Sequence, residues 1–215
     1  AWINWPAMTT TVKRCLAVGV KHFYPSADIG LRENEYIAFI EHVKRSFGLI
    51  RMDVESWTLP SESFLHNYSK CVQEESVLVL TPSCGSENIR KANRSCFFSN
   101  HQYERTLSVC NELGIKVWLY FTMGLPFETM HDIETTRAWQ RDLRLRFKCI
   151  EKIETQPQQL EPGSPMFLQP DKYNIRVLNA SLDDFIRATP VVSVGYATDT
   201  FSPDEIMSLC NNTSV

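Results

Sequence analysis

The stretch KVWLYFTMGLPFETMHD, Lys116 to Asp132, decides the fold. Val117 to Phe121 carry the β-branched and aromatic bias of a strand, without the polar alternation of a sheet that has one wet face. They predict a strand buried on both sides. Gly124 and Pro126 then stop it, Glu128 falls in the turn, and Thr129 with Asp132 three residues on has the pattern of a helix N-cap and capping box. A strand, a glycine turn, a carboxylate and a helix start make up the place where α/β proteins hold their ligands.

Outward from that stretch the same unit recurs. Helical spacing of Met8, Val12, Cys15 and Leu16 precedes the strand segment 20–24, and Tyr36, Ile37, Ile40, Val43 and Phe47 precede 49–55. Ser61 opens a helix with Phe64, Leu65 and Tyr68 ahead of strand 76–81. Ser99 with Gln102 opens another, ended by Gly114, ahead of 116–121. A helix from about Met130 to Leu145 leads to 149–154. Five strands joined by crossovers of a dozen residues or more require a mostly parallel sheet, open or part of a barrel. The proline-rich segment QPQQLEPGSPMFLQPDKYN breaks the alternation and starts a C-terminal extension. The expected division is a partial (βα) barrel over 1–160 and an extension over 161–215.

At 215 residues and 43% hydrophobic content the chain can bury a sizeable core. Its net charge of -3, from 22 Lys and Arg against 25 Asp and Glu, provides no basic field, so neither nucleic acid nor an anionic membrane is an expected partner. No apolar run approaches the roughly 20 residues that cross a bilayer, and no signal peptide is evident. Seven scattered cysteines, an odd number, argue for a reducing, cytoplasmic setting. None has metal-ligand spacing, so the sequence nominates no metal site. The chain does not begin with Met, and the expectation is that it is a piece of a longer one.

In a parallel α/β fold the loops at the carboxyl ends of the strands gather on one face. The first strand would offer Ser26 and Asp28 there, and the second Glu55 and Trp57. Thr81 to Glu87 follow the third, leading to Arg90 and Arg94. Met123, Gly124 and Glu128 follow the fourth, and Gln156, Gln158 and Gln159 the fifth. Glu55 and Gln156 are the candidates for contact with a small-molecule or peptide substrate. No Ser-His-Asp set, phosphate loop or His pair at metal spacing occurs, and no catalytic residue is nominated. The rim suits a polar cofactor better than acid-base chemistry. Each residue also has a plainer use: Arg90 and Arg94 as a solvated charged edge, Gly85 and Gly124 as turn formers, Cys84 and Cys96 as small buried side chains.

LTPSCGSENIRKANR (Leu80 to Arg94), KVWLYFTMGLPFETMHD and QLEPGSPMFLQPDKYNI (Gln159 to Ile175), in that order, resemble the later strands of a radical S-adenosylmethionine barrel, of the class that carries a cobalamin-binding domain. The resemblance covers roughly residues 5 to 176 and implies a partial TIM-like barrel, strands two to six. It implies S-adenosylmethionine as cofactor: Ser83, Cys84, Gly85 and Ser86 beside its ribose or methionine part, Arg90 toward its carboxylate, Met123 and Gly124 along its adenine, Glu128 fixing the turn. The implied activity is methyl transfer to an unactivated carbon. The family's [4Fe-4S] cluster and cobalamin are expected only with an upstream part, because the three-cysteine loop is not in this sequence. The family usually has Glu where this chain has Ser83, and Ser where it has Cys84. The alternative left open is a non-catalytic barrel remnant that serves as a binding or interaction module.

Overall fold

The apolar run at 116–123 does form a strand, and its neighbours in the computed structural model follow the expected alternation; residues 5–25, 28–94, 96–188 and 194–211 are described. In chain order the elements are α1 (Trp5–Ala17), β1 (His22–Phe23), α2 (Glu33–Phe47), β2 (Arg51–Met52), β3 (Val54–Ser56) and α3 (Glu62–Cys71). Then come β4 (Val77–Ser83), α4 (Glu87–Asn93), α5 (Asn100–Leu113), β5 (Lys116–Met123), α6 (Met130–Arg146) and β6 (Ile150–Pro157). The C-terminal part adds α7 (Pro165–Leu168), β7 (Ile175–Val177), α8 (Leu182–Ala188), β8 (Tyr196–Thr198) and α9 (Pro203–Asn211). Strands β3-β4-β5-β6 form a parallel sheet in that order, β1 and β2 a parallel pair, and β7 and β8 an antiparallel pair. The fold is α/β, consistent with a partial TIM-like barrel.

The second expected strand is divided at Asp53. Its backbone N–H bonds Phe23 O at 2.9 Å, while its buried carboxylate accepts from Val77 N at 2.9 Å and from His22 Nε2 at 2.7 Å. One extended segment therefore pairs with β1 through its first half and with β4 through its second. The expectation that 116–121 is buried on both sides is corrected. Val117, Leu119, Phe121 and Met123 are buried, whereas Lys116, Trp118, Tyr120 and Thr122 are only half-buried. The strand has one dry face, and aromatic residues on the other conceal the alternation that a polar residue would have shown.

The chain forms two compact units, residues 1–81, 98–119 and 143–152 in the first, 82–97, 120–142 and 153–215 in the second. In the first, α2 packs on α3 and α3 on α5, burying Phe39, Ile40, Val43, Phe64, Leu65 and Leu107. Tyr68 is buried there because its hydroxyl donates to Met52 O (2.7 Å) and Val77 O (3.0 Å). Helix starts match the sequence signals: Ser61 caps α3, and Ser99 with Gln102 forms a full capping box on α5. In the second unit Met123, Ile133, Leu160, Ile175, Val194, Tyr196, Phe201 and Ile206 make one apolar core, and Cys84, Ile89 and Leu125 a smaller one. No described helix is long and apolar enough to cross a membrane.

Candidate functional site: the turns after β4 and β5

The two turns that the sequence singles out both lie in the second unit. After β4 the backbone reverses at Ser83, whose φ is +67°, and Cys84 N–H closes a three-residue turn onto Pro82 O at 2.9 Å. A serine pays for that left-handed conformation, roughly 1 to 2 kcal/mol, so something must hold it. Arg90 does. Its Nε donates to Pro82 O at 2.9 Å and its Nη2 to Cys84 O, so one guanidinium grips the carbonyls on either side of Ser83. The same group lies 5.2 Å from the centre of the Trp139 ring, and Arg90 has 0% exposure. The structure thus gives Arg90 a task other than the carboxylate clamp or the solvated edge that the sequence raised. Its spacing on a helix does not reveal that the preceding turn would offer it carbonyls.

Gly85 is needed for packing. A Cβ there would stand 2.7 Å from Thr136 Cα, and Gly85 N–H donates to Thr136 Oγ1 at 2.8 Å, so the turn lies directly on α6. Thr136 completes the link by donating to Asp132 O at 3.0 Å. Ser86, half-buried, hydrogen-bonds the Asp132 side chain. Against the opposing effect of its partial burial, hydrogen bonds from Thr129 and Ser86 hold Asp132 below the ordinary carboxylate range. Burial pushes the Cys84 thiol up to about 12, the negative field of Glu128 adding to it, so this cysteine stays a neutral thiol.

After β5 the chain turns through Gly124 to Glu128, with Glu128 N–H bonded to Leu125 O at 3.1 Å and Phe127 at φ +67°. Glu128 fixes this turn: Oε2 accepts from Gly124 N (2.7 Å) and Leu125 N (3.1 Å). Its Oε1 is buried and has no hydrogen-bond partner. Burial raises the Glu128 pKa to about 8, against the pull of the two backbone donors, so near neutrality it is largely a protonated acid. Thr129 and Asp132 form the expected reciprocal cap on α6. Met123 belongs to the apolar core rather than to an open surface. Gly124, at φ +83°, faces Ile206 of α9, whose side-chain carbons would stand 2.6 to 2.8 Å from a Cβ, and its carbonyl accepts from the Tyr196 hydroxyl. The close approach that Gly124 permits is made here by the chain's own C-terminal helix. Tyr196, Ile206 and Trp139, remote in sequence from the turns, carry no motif that would have marked them.

The substrate candidates differ. Gln156 is exposed and donates to Glu154 Oε1 at 2.8 Å. Glu55, in the first unit, accepts from Tyr24 Oη and Trp57 Nε1, each at 2.7 Å. Ser26 lies outside the described residues. Among the described residues no three His, Cys, Asp or Glu side chains converge as a metal site.

The fold has known counterparts. The chain is similar to two solved structures of the radical S-adenosylmethionine methyltransferase TsrM from Kitasatospora setae. The first, with cobalamin and a [4Fe-4S] cluster bound, has a TM-score of 0.66 and 13% identity over 96% of this chain and 38% of that one. The second, with tryptophan substrate and a S-adenosylmethionine analogue bound, has a TM-score of 0.57 and 14% identity over 73% of this chain and 30% of that one. This chain therefore matches less than two-fifths of the length of either structure, and at such identity the likeness is one of fold. No protein-family model matches the chain. No curated protein matches it.

Proposed function

We propose that this chain is the cofactor- and substrate-binding part of a cobalamin-dependent radical S-adenosylmethionine enzyme, a methyltransferase acting on an unactivated carbon. The observation that carries this reading is the coincidence of three motifs, in family order, with a fold that matches TsrM over 96% of the chain. Within it residues 1–160 would be the partial barrel and 161–215 the extension. Ser83, Ser86 and the unpartnered Oε1 of Glu128 are the polar groups of the two turns that a S-adenosylmethionine ribose or amino acid part would meet. Arg90 and Glu128 would act by holding those turns, and Glu55 and Gln156 are the residues proposed for substrate contact.

The described residues do not fit a [4Fe-4S] cluster: no trio of cysteines converges, and burial keeps Cys84, Cys149 and Cys210 as neutral thiols with pKa values near 11 to 12. Cluster and cobalamin chemistry would have to come from residues outside this sequence, and no step is assigned to them here. Saturation-transfer NMR of the chain with S-adenosylmethionine tests the reading. The expected result is transfer to ribose protons at millimolar ligand, diminished in Ser86→Val. No transfer to a folded chain would support a second reading, the non-catalytic binding module. That reading is favoured by Ile206 over Gly124 and by the engagement of Arg90 with its own backbone.

A further inference from the structure

The first unit contains a cavity of about 500 Å³ where the chain passes from α3 into β4 and from α5 into β5. Its volume falls within the roughly 300 to 1,000 Å³ of small-molecule sites. One part of its lining is apolar, formed by Leu49, Val72, Leu113 and Ile115, and Leu49 stays 48% exposed. The other part is the turn Gln73 to Ser76, closed by Ser76 N–H on Gln73 O at 3.0 Å. Gln73 pins that turn to the approach of β2: its backbone N–H donates to Ile50 O at 3.1 Å and its Nε2 to Leu49 O at 3.0 Å. The polar and apolar walls are therefore held in a fixed relation before anything binds.

Charge decides what the cavity would hold. Glu74 and Glu75 both line it, and neither makes an ion pair or a side-chain hydrogen bond among the described residues. No described lysine or arginine lines it. The nearest cations along the chain are engaged elsewhere: Lys116 pairs with Glu151 at 3.2 Å, and Lys44 Nζ donates to Lys70 O at 2.8 Å. Helices α3 and α5 both end at this cavity, and a helix end presents unpaired carbonyls with partial negative charge. Lys70 stands in the last turn of α3, whereas the last turn of α5 has no basic residue and closes on Gly114 at φ +68°. A Cβ built on Gly114 would meet nothing within 4 Å, so that end of α5 borders open space. A concave surface lined by one sign of charge concentrates counter-charge and excludes its own sign.

We propose that this cavity binds a small amphipathic amine, its ammonium group held by Glu74, Glu75 and the carboxyl end of α5 and its hydrocarbon body laid on Leu49, Val72, Leu113 and Ile115. The donor set does not suit a bare metal ion, because no three described His, Cys, Asp or Glu side chains converge. A neutral ligand would leave the two carboxylates unanswered. None of the lining residues belongs to the turns after β4 and β5, so the site goes beyond the cofactor reading and stands whether or not the chain binds S-adenosylmethionine.

The test is a saturation-transfer NMR titration of the chain with 2-phenylethylamine, its neutral counterpart 2-phenylethanol and the anion 3-phenylpropionate. Saturable transfer to the ring protons of the amine is expected at millimolar ligand, with the alcohol about tenfold weaker and no transfer to the anion. The double variant Glu74→Gln, Glu75→Gln should weaken the amine about tenfold and leave the alcohol unchanged, because it removes charge and keeps shape. Leu49→Asn should weaken amine and alcohol alike, about threefold, through lost apolar contact. Circular dichroism checks that each variant is folded. Equal affinity for amine and alcohol would show an apolar hollow without charge selection and overturn the proposal. So would absence of transfer from the amine, or binding that persists in both folded variants. Transfer to the ribose of S-adenosylmethionine, measured on the same variants, is expected to be unchanged, which separates failure here from failure of the cofactor reading.

Discussion

The turns after β4 and β5 and the strand ends at Tyr24 and Glu55 are both placed at the carboxyl ends of parallel strands, yet they use polar groups in opposite ways. In the turns almost every group faces inward: Arg90 and Glu128 have 0% exposure and spend their hydrogen bonds on the backbone of Pro82, Cys84, Gly124 and Leu125. At the strand ends the carboxylate of Glu55 spends its bonds on side chains that remain half exposed. The first region uses polarity to build an irregular backbone, and the second uses it to aim rings at solvent. A buried guanidinium or carboxyl is thus a poor predictor of ligand contact unless its partners are known, because unpaired backbone carbonyls and N–H groups compete for it as strongly as a ligand would.

The largest expected effect concerns the buried acid. Glu128 binds its proton more tightly in the folded chain, with a pKa of about 8, than an unfolded glutamate does at about 4.3. Between those values unfolding releases a proton, so stability falls as pH rises from about 4.5 to 8 and this group takes no more away above that. Urea denaturation at pH 5, 6.5 and 8.5 should show Glu128→Gln flattening the decline, with a cumulative difference on the order of 4 kcal/mol. Parallel profiles for the two proteins would mean that Glu128 is already ionised and that the turn is wetter than described.

Next in size is Gly85→Ala, which sets a methyl 2.7 Å from the Thr136 backbone and should cost about 3 kcal/mol by the same assay. A loss below about 1 kcal/mol would show that the turn yields.

A smaller effect tests the grip of Arg90 on Ser83. Glycine adopts the left-handed φ without strain. Ser83→Gly should therefore help more when Arg90 enforces the turn than when Arg90→Met lets it relax, giving a coupling of about 0.5 to 1 kcal/mol in a double-mutant cycle. Strict additivity would separate the two residues.

The smallest effect belongs to the exposed region. Trp57→Ala should change stability by no more than about 0.5 kcal/mol, because its 57% exposed ring contributes little burial. A loss of about 2 kcal/mol would erase the contrast between the two regions.

By itself the sequence determined what local rules govern. Alternating helices and strands, Ser61 and the Ser99–Gln102 pair as helix starts, Gly114 as a stop, and Thr129 with Asp132 as the cap on α6 follow from neighbouring residues and appear where expected. The turns after β4 and β5 were also legible, because glycine and proline punctuate strands wherever they occur. The strand β5 was misjudged on one face, since Trp118 and Tyr120 read as apolar while standing half exposed. Only the tertiary structure decided which way the functional candidates point. Arg90 meets carbonyls presented by a strained turn, Gly124 meets Ile206, Met123 joins the apolar core that includes Ile133 and Phe201, and Glu55 meets Tyr24. Those partners come from distant segments brought together by burial of apolar surface, an effect without direction that the local pattern of residues around each candidate does not encode.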